Sequence, residues 1–128
     1  MTVPPRARRS RAKQIGVGFV FFWFAIGGIA HFAFTSLEMR IVPPWVPWPR
    51  EVVLASGAAE LLGAAGLLLQ RSRRAAGLGL AALTVAVTPA HFYMLQQPQL
   101  FDVPYALLVL RLPLQAALLV VILWCTTD

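Results

Sequence analysis

The sequence predicts an all-α fold, an integral membrane four-helix bundle with both termini in the cytoplasm. Of the 128 residues, 59% are hydrophobic and only 12% are charged, which is about half the charged fraction of a typical soluble domain. The mean hydropathy is +0.71. Four long stretches contain at most one charged residue each, and each is long enough to span the apolar core of a bilayer as a helix.

These stretches give the predicted helices in order. The first follows a basic tail, and a loop rich in proline and tryptophan separates it from the second. The segment "RSRR" separates the second helix from the third, and "QQPQLFDVP" separates the third from the fourth. Charges and prolines mark these ends because neither continues an apolar helix easily. The predicted organisation is a tail over 1–13 and a transmembrane domain over 14–128, with helices at about 14–35, 51–70, 76–96 and 103–125.

The distribution of basic residues predicts the orientation. Five Lys or Arg residues precede the first helix, and three more lie at 71, 73 and 74 between the second and third. An even number of crossings puts both groups on one side, whereas Arg40 and Arg50 lie on the other. Short loops rich in Lys and Arg stay in the cytoplasm. We therefore expect a multi-pass protein of a bacterial inner membrane. Its net charge of +6 is expected to contact anionic lipid. No nucleic-acid partner is expected.

An acid and a base are predicted at one depth in the membrane. Glu60 lies about 14 Å along the second helix from its outer end, and Arg111 lies about 12 Å along the fourth, at 1.5 Å per residue. An isolated charge at the bilayer centre costs about 2.5–3.5 kcal/mol or more. We therefore predict an ion pair between Glu60 and Arg111 inside the bundle, with either a purely structural role or a role in a functional site.

Other polar residues predict a cavity that opens outward. Pro89 should kink the third helix, because proline removes a backbone donor. The expected lining consists of one set of polar side chains: His31, Glu60, Thr88, His91, Arg111 and Gln115. Each histidine could instead form only a hydrogen bond at a helix interface. No metal site is expected, because the sequence lacks an H-x-x-x-H or E-x-x-H pair that would begin one on a single helix. The single cysteine, Cys125, excludes an internal disulfide.

The first outer loop, "MRIVPPWVPWPRE", has two interpretations. Prolines stiffen it, Pro43 and Pro44 among them, and prevent it from forming a helix. Trp45 and Trp48 suit the headgroup level of a bilayer, so the loop is an interfacial anchor or, alternatively, a lid that dips over the cavity.

Four segments resemble the DoxX-like family of small membrane proteins: "GGIAHF", "IVPPWVPWP", "VLASGAAELLGAAGLLLQRSRRAAGLGLAAL" and "VTPAHFYM". The resemblance covers roughly residues 15 to 125. It implies a compact four-helix bundle with cytoplasmic termini, and it carries over Glu60 and the Pro43–Pro44 loop as family features. Some relatives are associated with quinone-linked oxidation of sulfur compounds, some with redox stress complexes and others with maturation of periplasmic redox enzymes.

Three functions remain open at this point. The first is an accessory or redox-associated membrane subunit, whose cavity accepts a quinone-like or other amphipathic molecule and which binds another membrane or redox protein. The second is a scaffold or assembly factor without small-molecule chemistry. The third is a small transporter. The composition excludes a soluble enzyme, while the sequence leaves open the oligomeric state and whether the chain is an enzyme at all.

Overall fold

Helices make up most of the part of the chain that the structure describes, and no strand occurs there. The structure is a computed structural model that describes residues 10–101 and 103–127, so the predicted tail lies outside it over residues 1–9. The helices are α1 (Arg11–Ala33), α2 (Thr35–Met39), α3 (Pro49–Leu67), α4 (Arg73–Ala86), α5 (Thr88–Gln96) and α6 (Tyr105–Thr126), with a short 3₁₀ turn at Pro98–Leu100.

Three helical stretches of the described residues are long and apolar enough to cross a membrane. They are α1, the stretch Arg73–Gln96 that contains α4 and α5, and α6. By length and apolar composition, α3 is not among these stretches. Its 19 residues include Arg50 and Glu51 in the first turn and Glu60 in the middle, and these charges lower its hydropathy.

Local signals explain where α1 and α3 begin. The Ser10 side chain accepts a hydrogen bond from the backbone N–H of Lys13 (3.2 Å), so α1 starts at this N-cap, three residues before the predicted start. Pro49 occupies the first position of α3, where its missing N–H costs nothing. Trp48 precedes it with φ 53°, a left-handed conformation that is uncommon for a residue with a side chain.

The predicted disturbance at Pro89 is visible as a break between α4 and α5. Val87 lies outside both helices. Proline has no N–H to donate to the carbonyl four residues before it. That carbonyl, of Val85, accepts instead from the backbone N–H of Val87.

Small residues of α3 allow close packing against the neighbouring helices. A Cβ on Gly57 would lie 2.6 Å from the Cβ of His31 in α1. A Cβ on Gly63 would collide with the Leu80 side chain in α4. The small-residue face of α3 therefore serves packing within the chain.

The apolar core lies at the end of the molecule that carries the start of α1 and the end of α6. Its fully buried members include Val20 of α1, Leu67 of α3, Leu80 of α4 and Ile122 of α6. At the same end, the ammonium of Lys13 donates a hydrogen bond to the backbone carbonyl of Thr127 (2.9 Å). This half of the molecule is close-packed, and the polar side chains of the site lie at the opposite end.

Candidate functional site

A cavity of about 630 Å³ lies between the helices, at the end opposite the start of α1 and the end of α6. Residues of all six α-helices line it, with α4 contributing only Ala86, together with the loop that follows α2. Four of the six side chains predicted for the cavity belong to its lining: His31, Glu60, His91 and Arg111. Most of the remaining wall is apolar, with Trp23 and Ile26 among its members.

Thr88 and Gln115 were also predicted to line the cavity, and the structure does not place them in its lining. The Gln115 side-chain amide is buried and donates a hydrogen bond to the backbone carbonyl of Thr84 (2.9 Å). The Thr88 hydroxyl donates to the same carbonyl (2.9 Å). Both side chains therefore donate to one backbone carbonyl in α4. The hydrogen bond from Gln115 also links α6 to α4.

His31 is held from both sides of its imidazole ring. Its Nδ1 lies 2.9 Å from the backbone carbonyl oxygen of Val53 and 2.9 Å from the Ser56 hydroxyl. Its Nε2 lies 3.3 Å from Oε2 of Glu38 and 3.7 Å from Oε2 of Glu60. The ring therefore connects three helices, because it belongs to α1, Glu38 belongs to α2 and the other partners belong to α3.

Glu60 points into the packing between α3 and α1. The residue is 9% exposed. A Cβ on Gly27 would lie only 3.1 Å from its Oε2, so glycine in α1 provides the space for the carboxylate. That Oε2 atom is buried and has no hydrogen-bond partner. A buried carboxylate oxygen without a donor carries a substantial desolvation cost, and His31 Nε2 is the nearby group of opposite charge when protonated.

The predicted ion pair between Glu60 and Arg111 is not formed among the described residues. Glu60 approaches His31 instead, and the Arg111 guanidinium lies 5.2 Å from the centre of the Trp23 ring. The physical reason is the close contact of α1 with α3, which brings the imidazole to the carboxylate. Arg111 then gains a cation–π contact on α1, while it still lines the cavity that Glu60 lines.

The loop after α2 covers part of the cavity. Pro43, Trp45 and Val46 belong to the lining. Pro43 is buried, whereas Trp45 remains 72% exposed. Pro44 and Trp48 are exposed and do not line the cavity. The loop thus contacts the cavity at one edge and presents two tryptophans outward.

Glu38 is a site residue that the sequence analysis missed. It follows His31 by seven residues, or about two helical turns, a spacing that places both on one face when the chain stays helical. The helix is interrupted only at Phe34, so this spacing was a usable signal. Burial raises the pKa of the Glu38 carboxyl, and the neighbouring His31 opposes that rise. Glu38 therefore holds its proton more readily than an exposed glutamate does.

The comparisons with known proteins give one match. A family model with the description "Domain of unknown function (DUF8561)" matches residues 20–126. No curated protein and no solved structure matches the chain. The matched range begins within α1 and ends at the last residue of α6, so it includes every residue of the cavity described above.

Proposed function

We propose that the chain, which belongs to the DUF8561 family, is a four-helix membrane protein that binds a small amphipathic molecule, such as a quinone, in its cavity. It would act as an accessory subunit of another membrane or redox protein. The resemblance to DoxX-like proteins supports the same proposal. The single observation that carries it is the cavity of about 630 Å³ with apolar walls and ionisable side chains.

The proposed topology places α3 in the membrane with the three apolar stretches. Two features support this placement. α3 packs against α1 and α4, both of which belong to apolar stretches, and its one central charge is buried against His31. Both termini then lie in the cytoplasm, as the distribution of Lys and Arg predicts. The cavity faces the outer side.

The cavity suits a molecule with a flat apolar body and a polar edge. Ligand pockets combine apolar walls with a few polar groups that fix orientation. Trp23, Ile26 and Val87 belong to the apolar wall here. Arg111 remains a donor at any ordinary pH, and His91 lines the same space. These two residues would hold a carbonyl or an anionic oxygen of the ligand.

Arg111→Gln tests this assignment. We expect a short-chain quinone analogue to raise the thermal stability of the purified native protein in detergent, because a ligand that binds only the folded state stabilises it. The same analogue should give little or no stabilisation in Arg111→Gln. The matched control is Arg50→Gln, which removes the same charge from an exposed position outside the cavity and should retain the full effect. Equal stabilisation of both variants would contradict the proposal.

A small transporter is the second candidate, and the partner of Glu60 favours it. Arginine stays charged and would hold a paired carboxylate ionised, whereas histidine exchanges protons near neutral pH. Glu60 approaches His31 and not Arg111. A transporter is favoured if proteoliposomes that contain the native chain lose an imposed pH gradient and proteoliposomes that contain Glu60→Gln retain it. A native chain that neither binds the analogue nor dissipates a gradient would instead favour the scaffold.

A further inference from the structure

The Nε2 atom of His31 faces two carboxylates, and this arrangement links the protonation of the three groups. Oε2 of Glu38 lies 3.3 Å from it and Oε2 of Glu60 lies 3.7 Å from it. Arg111 and His91 are the residues proposed to hold the ligand, and Glu38 takes no part in that contact. The described residues contain no group of His, Cys, Asp or Glu side chains arranged to hold a metal ion.

The opposite ring nitrogen determines the tautomer of His31. Nδ1 lies 2.9 Å from the backbone carbonyl oxygen of Val53, and a carbonyl oxygen can only accept. The Ser56 hydroxyl donates its hydrogen to the same carbonyl (2.9 Å), so it has no second hydrogen to offer to the ring. Nδ1 therefore carries a hydrogen and donates. In a neutral ring, Nε2 is then the acceptor.

A neutral His31 with two ionised glutamates would place only acceptors around one point. The lone pair of Nε2 would face both carboxylate oxygens, and all three groups would repel one another. One additional proton removes the conflict, whether it resides on Nε2 or on a carboxyl oxygen. The Oε2 atom of Glu60 is buried without a hydrogen-bond partner, which makes the unprotonated arrangement more costly still.

The remaining charged groups that face the cavity come from the other side. They are His91 of α5 and Arg111 of α6. Arg111 lies over Trp23 and contributes a fixed positive charge. It does not fill the space between Nε2 and the two carboxylates. Within the described residues, the proton of this cluster is therefore shared by His31, Glu38 and Glu60.

We propose that His31, Glu38 and Glu60 form a binding site for one proton, and that this proton holds α2 and the following loop over the cavity. Glu38 is the only one of the three that belongs to α2. The loop after α2 supplies Val46 and Pro43 to the cavity lining. Loss of the proton turns an attraction between α1 and α2 into a repulsion, and the cover opens. This inference does not depend on the proposed ligand.

Labelling of Val46→Cys with a polar maleimide tests the site in the full-length chain without any ligand. Val46 lines the cavity, and the native chain supplies the background because its single cysteine, Cys125, is fully buried. The control is Trp48→Cys, whose position is 72% exposed and outside the lining. The ratio of the two labelling rates removes the ordinary effect of pH on thiol chemistry.

We expect this ratio to rise roughly tenfold from about pH 5 to about pH 8, the range in which histidine clusters exchange protons, because one charge-assisted hydrogen bond is lost. In Glu38→Gln the ratio should stay low at every pH, because an amide N–H donates to the unprotonated Nε2. In Glu38→Ala it should stay high, because nothing joins α2 to the ring.

Two results would overturn the proposal. One is a flat ratio in the native background. The other is an unchanged pH dependence in Glu38→Gln and Glu38→Ala. Because no ligand is present, these results are independent of whether a quinone analogue stabilises the protein, so failure of this proposal and failure of the proposed function are separable.

Discussion

At the scale of single residues, the partner of Glu60 determines what the buried carboxylate can do. An arginine partner would keep a permanent charge beside it. His31 is the partner instead, with Nε2 at 3.7 Å from Oε2, and an imidazole is cationic only when both ring nitrogens carry a hydrogen. Glu60 therefore belongs to a cluster whose total charge depends on how many protons the cluster holds.

Two double-mutant cycles distinguish these partners by the free energy of unfolding in detergent. One combines His31→Phe with Glu60→Gln, and the other combines Arg111→Gln with Glu60→Gln. We expect a coupling energy of about 0.5–3 kcal/mol in the first cycle, the range for residues in contact. The second should give a smaller coupling energy than the first, because Arg111 acts on the Glu60 carboxylate only through the electrostatic field and forms no ion pair with it. A larger coupling in the second cycle would restore the ion pair between Glu60 and Arg111.

The sequence could predict how deep these residues lie in the membrane, but not which neighbouring helix each side chain contacts. Depth follows from the helical rise, and four of the six predicted cavity residues do line the cavity. The rotation of each helix about its own axis depends on packing against its neighbours. Arg111 and Gln115 are one turn apart on α6, yet one contacts Trp23 of α1 and the other contacts Thr84 of α4. No pattern within α6 alone distinguishes those neighbours.

At the scale of helices, the glycines of α3 allow the contact that forms the site. Gly57 lies against His31, where a Cβ would be 2.6 Å from the histidine Cβ. That Cβ is attached to the backbone and cannot move away by a change of rotamer. The distance between α1 and α3 is therefore set at the same residue that bridges Glu38 and Glu60.

Gly57→Ala should destabilise the protein by about 1–3 kcal/mol, the usual cost of inserting an atom into a well-packed contact. Gly79→Ala is the matched control, because a Cβ there meets nothing within 4 Å. It should leave stability unchanged or increase it by up to about 1 kcal/mol, since alanine favours a helix more than glycine does. Thermal unfolding in detergent measures both. A neutral Gly57→Ala would show that α1 and α3 can separate without loss.

The sequence predicts the long helices better than the short one. Stretches without charge locate α1 and α6, and Pro89 locates the break between α4 and α5. The five residues of α2 have no comparable signal, because a short helix depends on contacts with the rest of the chain. The Thr35 hydroxyl donates to the backbone carbonyl of His31 (2.7 Å) and helps to place α2 beside the end of α1.

At the scale of the whole molecule, the chain has a packed half and a hollow half. Val20, Leu67, Leu80 and Ile122 are buried at the end with the start of α1 and the end of α6, and the cavity lies at the other end. Apolar side chains on the outside of α1, such as Phe22 and Ile29, are exposed, as expected of a surface that faces lipid.

Reporter fusions test the proposed topology. A fluorescent protein that folds only in the cytoplasm should be active when it is fused after Asp128, because both termini are proposed to lie there. A phosphatase that is active only outside the cytoplasm should be active when it is inserted between Pro44 and Trp45. The opposite pattern would reverse the orientation, and activity of both reporters at one position would indicate mixed insertion.

The position of the cavity also determines which leaflet of the bilayer can supply a ligand. In the proposed orientation the cavity lies in the outer half of the bilayer, and the packed core fills the inner half. A lipophilic ligand dissolved in the inner leaflet must first cross to the outer one before it can enter. Occupancy would then follow the composition of a single leaflet.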